Sequence, residues 1–72
     1  MKINRIIGFK IKELRLQKGI KAEIMAHSLG ISKGAFSFLE NGKTEITISR
    51  LILLSDLLNC EINYFFIDIK IR

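Results

Sequence analysis

The sequence predicts an all-α domain, on three observations. Apolar residues recur at helical spacing along four successive stretches, a glycine or an asparagine stands where each stretch ends, and no proline interrupts them. Seventy-two residues at 49% hydrophobic content give room for one compact core near the lower size limit of independent folding. Residues 1–72 are therefore expected to form a single domain, with its core at about 7–66 and a tail at 67–72.

Helix one is expected from Ile7 to Gly19. Ile7, Ile11 and Leu14 repeat at helical spacing, and Gly19 after Lys18 suits the left-handed residue that stops a helix. Helix two runs from about Lys21 to Leu29 with Met25, Ala26 and Leu29 inward, and Gly30 ends it. Ser32 can accept a backbone N–H at the start of helix three, roughly Lys33 to Asn41; Ala35, Phe36 and Leu39 are expected to face inward, and Gly42 closes the helix. Thr47 is the expected cap of helix four. Its apolar face is Ile48, Leu51, Leu54, Leu57 and Leu58, and Asn59 tolerates a left-handed cap. Ile62 to Phe66 make one last turn or two. Beyond them "FIDIKIR" alternates Ile67, Ile69 and Ile71 with Asp68, Lys70 and Arg72, the period of a short C-terminal β-strand. Such a strand must pair with the N-terminal "MKINRI", with its copy in a second subunit or with another protein; the alternative is a frayed tail.

The charge of +5 and a pI near 9.7 point to a polyanionic partner, because lysines beside phosphates gain affinity by releasing condensed counterions. A mean hydropathy of +0.27 is high for a small monomer and points to self-association. The single cysteine, Cys60, cannot form an internal disulfide, and no segment has signal-peptide order, so a cytoplasmic location is expected. The longest apolar run, "RLILLSDLLNC", is broken by Ser55 and Asp56 and is far shorter than the ~20 residues that span a bilayer. His27 is the only histidine and Cys60 has no second cysteine, so neither a metal site nor a cofactor is expected. Glycines 30, 34 and 42 punctuate helices rather than forming a phosphate loop, and no nucleophile, base and orienting group can be assembled. The chain does not read as an enzyme.

Two short helices around a glycine-containing turn, "AEIMAHSLGISKGAFSFLE", have the length and punctuation of a helix-turn-helix, whose second helix enters the major groove of DNA. The longer segment "IGFKIKELRLQKGIKAEIMAHSLGISKGAFSFLENGK" resembles the DNA-binding domain of Cro/cI-like phage repressors, the family that includes restriction-modification controllers and small antitoxins. The resemblance rests on "IG..IKELR..KG", "A..LGIS", "LENGK" and "L...LL", and covers about Ile7 to Phe66. It implies a compact five-helix domain and an internal ion pair between Arg15 and Glu40. Such a pair belongs to the scaffold, and removing one partner strands a buried charge at a cost of ~3–5 kcal/mol.

By the same resemblance, the DNA-facing positions are Lys33, Gly34, Ser37 and Phe38, with Asn41 and Lys43 beside the phosphate backbone. Lys33 can donate to guanine O6 or N7, sit against a phosphate, or remain a solvated surface lysine. Ser32 and Ser37 can bond phosphate, although Ser32 also serves as a cap. Two departures stand out. Many family members open helix two with a Ser-Gln pair whose glutamine touches DNA; here Lys21 and Ala22 stand there, and Lys21 offers a less directional phosphate contact. Gly34 removes a side chain from a second reading position and costs roughly 1 kcal/mol of helix stability relative to alanine.

Phe38 has three readings: contact with thymine methyl groups, an anchor for a protein partner, or a ring folded onto the core edge. Phe9, Leu16, Ile24 and Leu53 likewise occupy places that family members fill with polar residues, and so many exposed apolar groups imply a covered surface. A homodimer is expected, with Leu53, Ile67, Ile69 and Ile71 at its interface and two recognition helices ~34 Å apart on a palindromic operator. The expected function is sequence-specific transcriptional regulation on double-stranded DNA. The alternative is a protein-interaction module, antirepressor-like or antitoxin-like, that uses Gly34 and Phe38 to bind a partner.

Overall fold

A computed structural model of the chain describes residues 3–67 and 69. Four α-helices, α1 (Ile3–Gln17), α2 (Ala22–Leu29), α3 (Lys33–Glu40) and α4 (Ile48–Leu57), precede a 3-10 helix at Ile62–Phe66. The fifth helix implied by the family resemblance is thus a 3-10 helix rather than an α-helix.

The caps explain the boundaries. Ser32 Oγ accepts the Ala35 N–H at 3.1 Å and Thr47 Oγ1 accepts the Arg50 N–H at 3.2 Å, each satisfying a donor that the first helical turn leaves free. Gly30 at φ 70° and Asn59 at φ 52° provide the left-handed residues that end α2 and α4. At the end of α3 the Gly42 N–H donates to the Leu39 carbonyl and the Lys43 N–H to the Phe38 carbonyl, the two bonds of a Schellman motif with Gly42 left-handed.

Ile7, Ile11, Met25, Ala26, Leu29, Phe36, Leu39, Leu51, Leu54, Leu58 and Phe65 form one contiguous core, to which every element contributes. The 3-10 helix closes the open end. Phe65 is fully buried, and on the neighbouring residue the Tyr64 ring receives the Lys10 Nζ 4.7 Å from its centroid. Arg15 is the polar centre of this core, with its Nε 2.7 Å from Glu40 Oε2, its Nη2 3.2 Å from Glu40 Oε1 and its Nη1 2.9 Å from the Ile20 carbonyl.

Four expectations need correction. Helix one begins at Ile3 rather than Ile7, because Asn4 Oδ1 accepts the Ile46 N–H at 3.2 Å and ties the first turn to the segment before α4. "MKINRI" is therefore no pairing strand over its described residues. Ala35 is exposed, since the buried stripe of α3 is Phe36, Leu39 and Glu40. Ile48 is 62% exposed, because the buried stripe of α4 starts one turn later at Leu51 and continues through Leu54 and Leu58. At the C-terminus Ile67 has helical backbone angles and the Ile69 N–H donates to the Phe66 carbonyl, so there is no strand among the described residues; Asp68, Lys70, Ile71 and Arg72 lie outside them.

Gly8 marks the tightest seam. A Cβ added there would lie 2.5 Å from the Glu40 carbonyl oxygen and 2.6 Å from that of Leu39, so α1 crosses the end of α3 at a distance only glycine permits. At Gly34 an added Cβ would find nothing nearer than Ser32 Oγ, 4.0 Å away. Thermal unfolding should separate the two: Gly8→Ala is expected to destabilise by ~1–3 kcal/mol through overpacking, and Gly34→Ala to stabilise by ~1 kcal/mol through helix propensity. Arg15→Ala should lose ~3–5 kcal/mol in the same assay, since it leaves the Glu40 carboxylate buried with no cation.

Candidate nucleic-acid interface

The exposed side of α3 follows from its buried one. With Phe36, Leu39 and Glu40 turned inward, helical geometry brings Lys33, Gly34, Ser37 and Phe38 onto one outward face, and all four are exposed. Gly34 is the second residue of α3, so this face presents backbone rather than a side chain at that position. Ser37 Oγ lies 3.4 Å from Asn41 Nδ2, which extends the polar edge past the end of the helix. Lys43 stands just beyond, its backbone fixed by the Schellman bond to Phe38 at 2.9 Å and its side chain in solvent.

Phe38 is 54% exposed and takes no part in the core cluster, which removes the core-edge reading and leaves it available to a ligand. Ser32 is the α3 cap, with one lone pair committed to the Ala35 N–H and its hydroxyl proton free to turn outward. Lys21 precedes α2 with extended backbone angles and supplies no side-chain cap. Its carbonyl accepts the Ile24 and Met25 N–H groups, and the residue is exposed at the start of the helix.

Arg15 and Glu40 stand behind this face. Both are 8% exposed, and the guanidinium carbon lies 5.9 Å from the Phe36 ring centroid, so the pair reaches no external ligand and instead fixes α3 against α1. No buried side-chain nitrogen or oxygen among the described residues lacks a hydrogen-bond partner. The polar interior is complete in itself.

The remaining sites lie elsewhere. Leu53, 40% exposed, is on the outer face of α4 together with Ile48 and Ile52, beside a groove of roughly 650 Å3 whose rim carries Asp56 and Glu61. Ile67 is 68% exposed, Ile69 is half-buried against the core and Ile71 lies outside the described residues. His27 is on the surface, and burial pushes the Cys60 thiol up against an opposing pull from Lys18. Among the described residues no group of histidine, cysteine and carboxylate side chains could hold a metal ion. Two features of the surface escaped sequence reasoning. Ile52 belongs with Leu53, and Arg5 stands beside Asn41 and Lys43; the signal for Arg5 was present in its spacing to Phe9, Lys12 and Leu16, all on one face of α1, but it required the helix to start at Ile3.

Comparison with known proteins bears on the family and the fold. Uncharacterized HTH-type transcriptional regulators of Rickettsia conorii and Rickettsia prowazekii are each 34% identical over 65 residues, 90% of this chain, and the chain spans about half their length, 52% and 50% respectively. The crystal structure of the clp gene regulator ClgR from C. glutamicum shares the fold, with a TM-score of 0.84 at 23% identity, over 90% of this chain and 84% of that one. The helix-turn-helix family model matches residues 11–65, from the middle of α1 to the buried Phe65, and so takes in α2, α3 and the turn between them. On that match the chain belongs to the Cro/cI-like helix-turn-helix family.

Proposed function

We propose that the chain is a DNA-binding transcriptional regulator that lays α3 in the major groove and acts as a homodimer on a two-fold symmetric operator. The observation that carries this reading is the outward face of α3, where Lys33, Gly34, Ser37 and Phe38 lie together in solvent on a helix locked from behind by Arg15 and Glu40. A net charge of +5 supplies the attraction to phosphate.

Each residue has a role in this reading. Lys33 donates to a guanine edge, Ser37 contacts a base or phosphate, and Phe38 presses on thymine methyl groups. Gly34 lets the groove floor approach the helix backbone. Lys21, Ser32, Asn41 and Lys43 grip phosphates on either side and set the register, which carries affinity rather than sequence information. The regulator then blocks or recruits polymerase by occupying its operator. In this reading it works on DNA in the cytoplasm; no helix among the described residues is long and apolar enough to cross a membrane.

The dimer is assigned to the outer face of α4. Ile48, Ile52 and Leu53 are 62%, 56% and 40% exposed on α4, and Ile52 and Leu53 line one groove, which supports a covered surface there. Ile69 packs on its own core and so has less to offer a partner.

The exposed ring of Phe38 supports a second reading, in which the α3 face binds a protein. Selection from random-sequence duplexes at two salt concentrations separates the two. A two-fold symmetric motif is expected; Lys33→Ala should blur base preference within each half-site, and Lys43→Ala should weaken all duplexes alike and lower the salt slope by ~0.9. Folded protein that enriches no motif would favour the protein-binding reading, with Phe38→Ala the variant to test against partners. In sedimentation, Ile52→Asp should shift the wild-type dimer toward monomer without loss of helix content, and an unchanged mass would remove α4 from the interface.

A further inference from the structure

We infer that a single DNA phosphate seats between Arg5 of α1 and Lys43 of the α3–α4 turn, making the first helix part of the DNA-binding surface. This rests on the DNA-binding reading and adds a site to it. Two adjoining hollows, of roughly 280 and 230 Å3, are both lined by Arg5, Asn41 and Lys43. They meet because Gly42 brings the turn against the backbone of Arg5 more closely than any side chain at position 42 would allow. The Schellman motif holds Lys43 at the rim, and the first turn of α1 is tied down by the bond from Ile46 N–H to Asn4 Oδ1. Both halves of the site are therefore fixed before any ligand arrives, one by backbone hydrogen bonds and the other by the Asn4 side chain.

The charges call for an anion. Arg5 and Lys43 are exposed cations on one rim, and neither forms an ion pair among the described residues. Glu40 lines one of the hollows, but both of its carboxylate oxygens are taken by Arg15, at 2.7 and 3.2 Å. Glu13 shares a third hollow with Arg5, and no ion pair joins them among the described residues. Asn41 adds an amide at the same rim, in weak contact with Ser37 at 3.4 Å. A forked guanidinium and a compact ammonium about a small space suit a tetrahedral oxyanion, and their place next to the exposed face of α3 makes a phosphodiester of the bound duplex the natural one.

The test uses the operator duplex recovered by selection, with the 72-residue wild type and the variants Arg5→Ala, Arg5→Gln, Lys43→Ala and the double variant Arg5→Ala/Lys43→Ala. Circular dichroism of each verifies the fold; only the side chain of Arg5 is removed, and its backbone contact with Gly42 is kept. The double variant is expected to show a salt slope lower by ~0.9, so that between ~50 and ~200 mM salt it loses about threefold less affinity than wild type. The two single losses should sum to more than the double loss, because both groups serve one phosphate. Scanning the duplex with single methylphosphonate linkages should find one position per half-site that weakens wild type and leaves the double variant unaffected. Arg5 variants with wild-type affinity and slope would overturn the site while leaving DNA binding intact, as would additive losses spread over two phosphates. A wild type that binds no duplex would overturn the DNA-binding reading and the phosphate site together.

Discussion

The structure depends on one side chain, Arg15. Its guanidinium spends three donors on Glu40 and the Ile20 carbonyl and lays a face toward Phe36, so it joins α1, the loop before α2 and the end of α3 at one point. A buried ion pair is not stabilising merely by being present, since desolvation offsets much of its Coulomb energy. Its value here is geometric. An arginine fork meets a carboxylate in only a few orientations, and a domain of this size has too few apolar contacts to fix the direction of an eight-residue helix by packing alone.

Two glycines make that geometry attainable. Gly8 lets α1 rest on the Leu39 and Glu40 carbonyls, and Gly42 lets the following turn rest on Arg5, so α1 meets both the end of α3 and the turn after it backbone to backbone. Close approach brings the Glu40 carboxylate within reach of Arg15. It also stiffens the outward face of α3, because a helix held through its backbone keeps its exposed side chains where they are whatever those side chains happen to be. That separation explains how Gly34 and Phe38 are tolerated on α3. Neither contributes to the core, and an added Cβ at Gly34 would meet only Ser32 Oγ, at an unstrained 4.0 Å.

The sequence revealed most about places where local chemistry decides. Ser32 and Thr47 were readable as caps, and Gly19, Gly30, Gly42 and Asn59 as left-handed stops, because each acts on its own few residues and all adopt the expected conformation. It revealed less where a distant partner decides. The first turn of α1 is held by Asn4 and Ile46, 42 residues apart, so nothing near Ile3 announced a helix. Ala35 and Ile48 have apolar character but lie off stripes set by Phe36 and Leu51, and a small or terminal apolar residue does not reveal which edge of a stripe it occupies. The alternating tail follows a strand period, but over its described residues, Ile67 and Ile69, a turn from Ile69 to Phe66 forms instead. For the candidate site, the α3 face was legible because inward positions dictate outward ones, whereas Arg5 needed the helix start at Ile3, and its place beside Lys43 needed the Gly42 contact.

The proposed reading surface is poor in hydrogen bonds. Gly34 contributes no side chain and Phe38 no polar group, leaving Lys33 and Ser37 as the only polar readers on α3. A bidentate side-chain contact adds about 1–3 kcal/mol of discrimination, and neither a lysine nor a serine is a planar fork that makes one readily. Sequence preference would then come from other sources: the fit of a bare helix backbone and an aromatic ring to methyl-rich steps, the ease with which those steps deform, and the spacing fixed by a second subunit. Each of these requires the helix to be held firmly and the phosphates to be gripped on more than one side. A recognition helix with few words of its own therefore depends more heavily on its frame, and in this chain the frame is α1, through Arg15 and Gly8 behind the helix and Arg5 beside it.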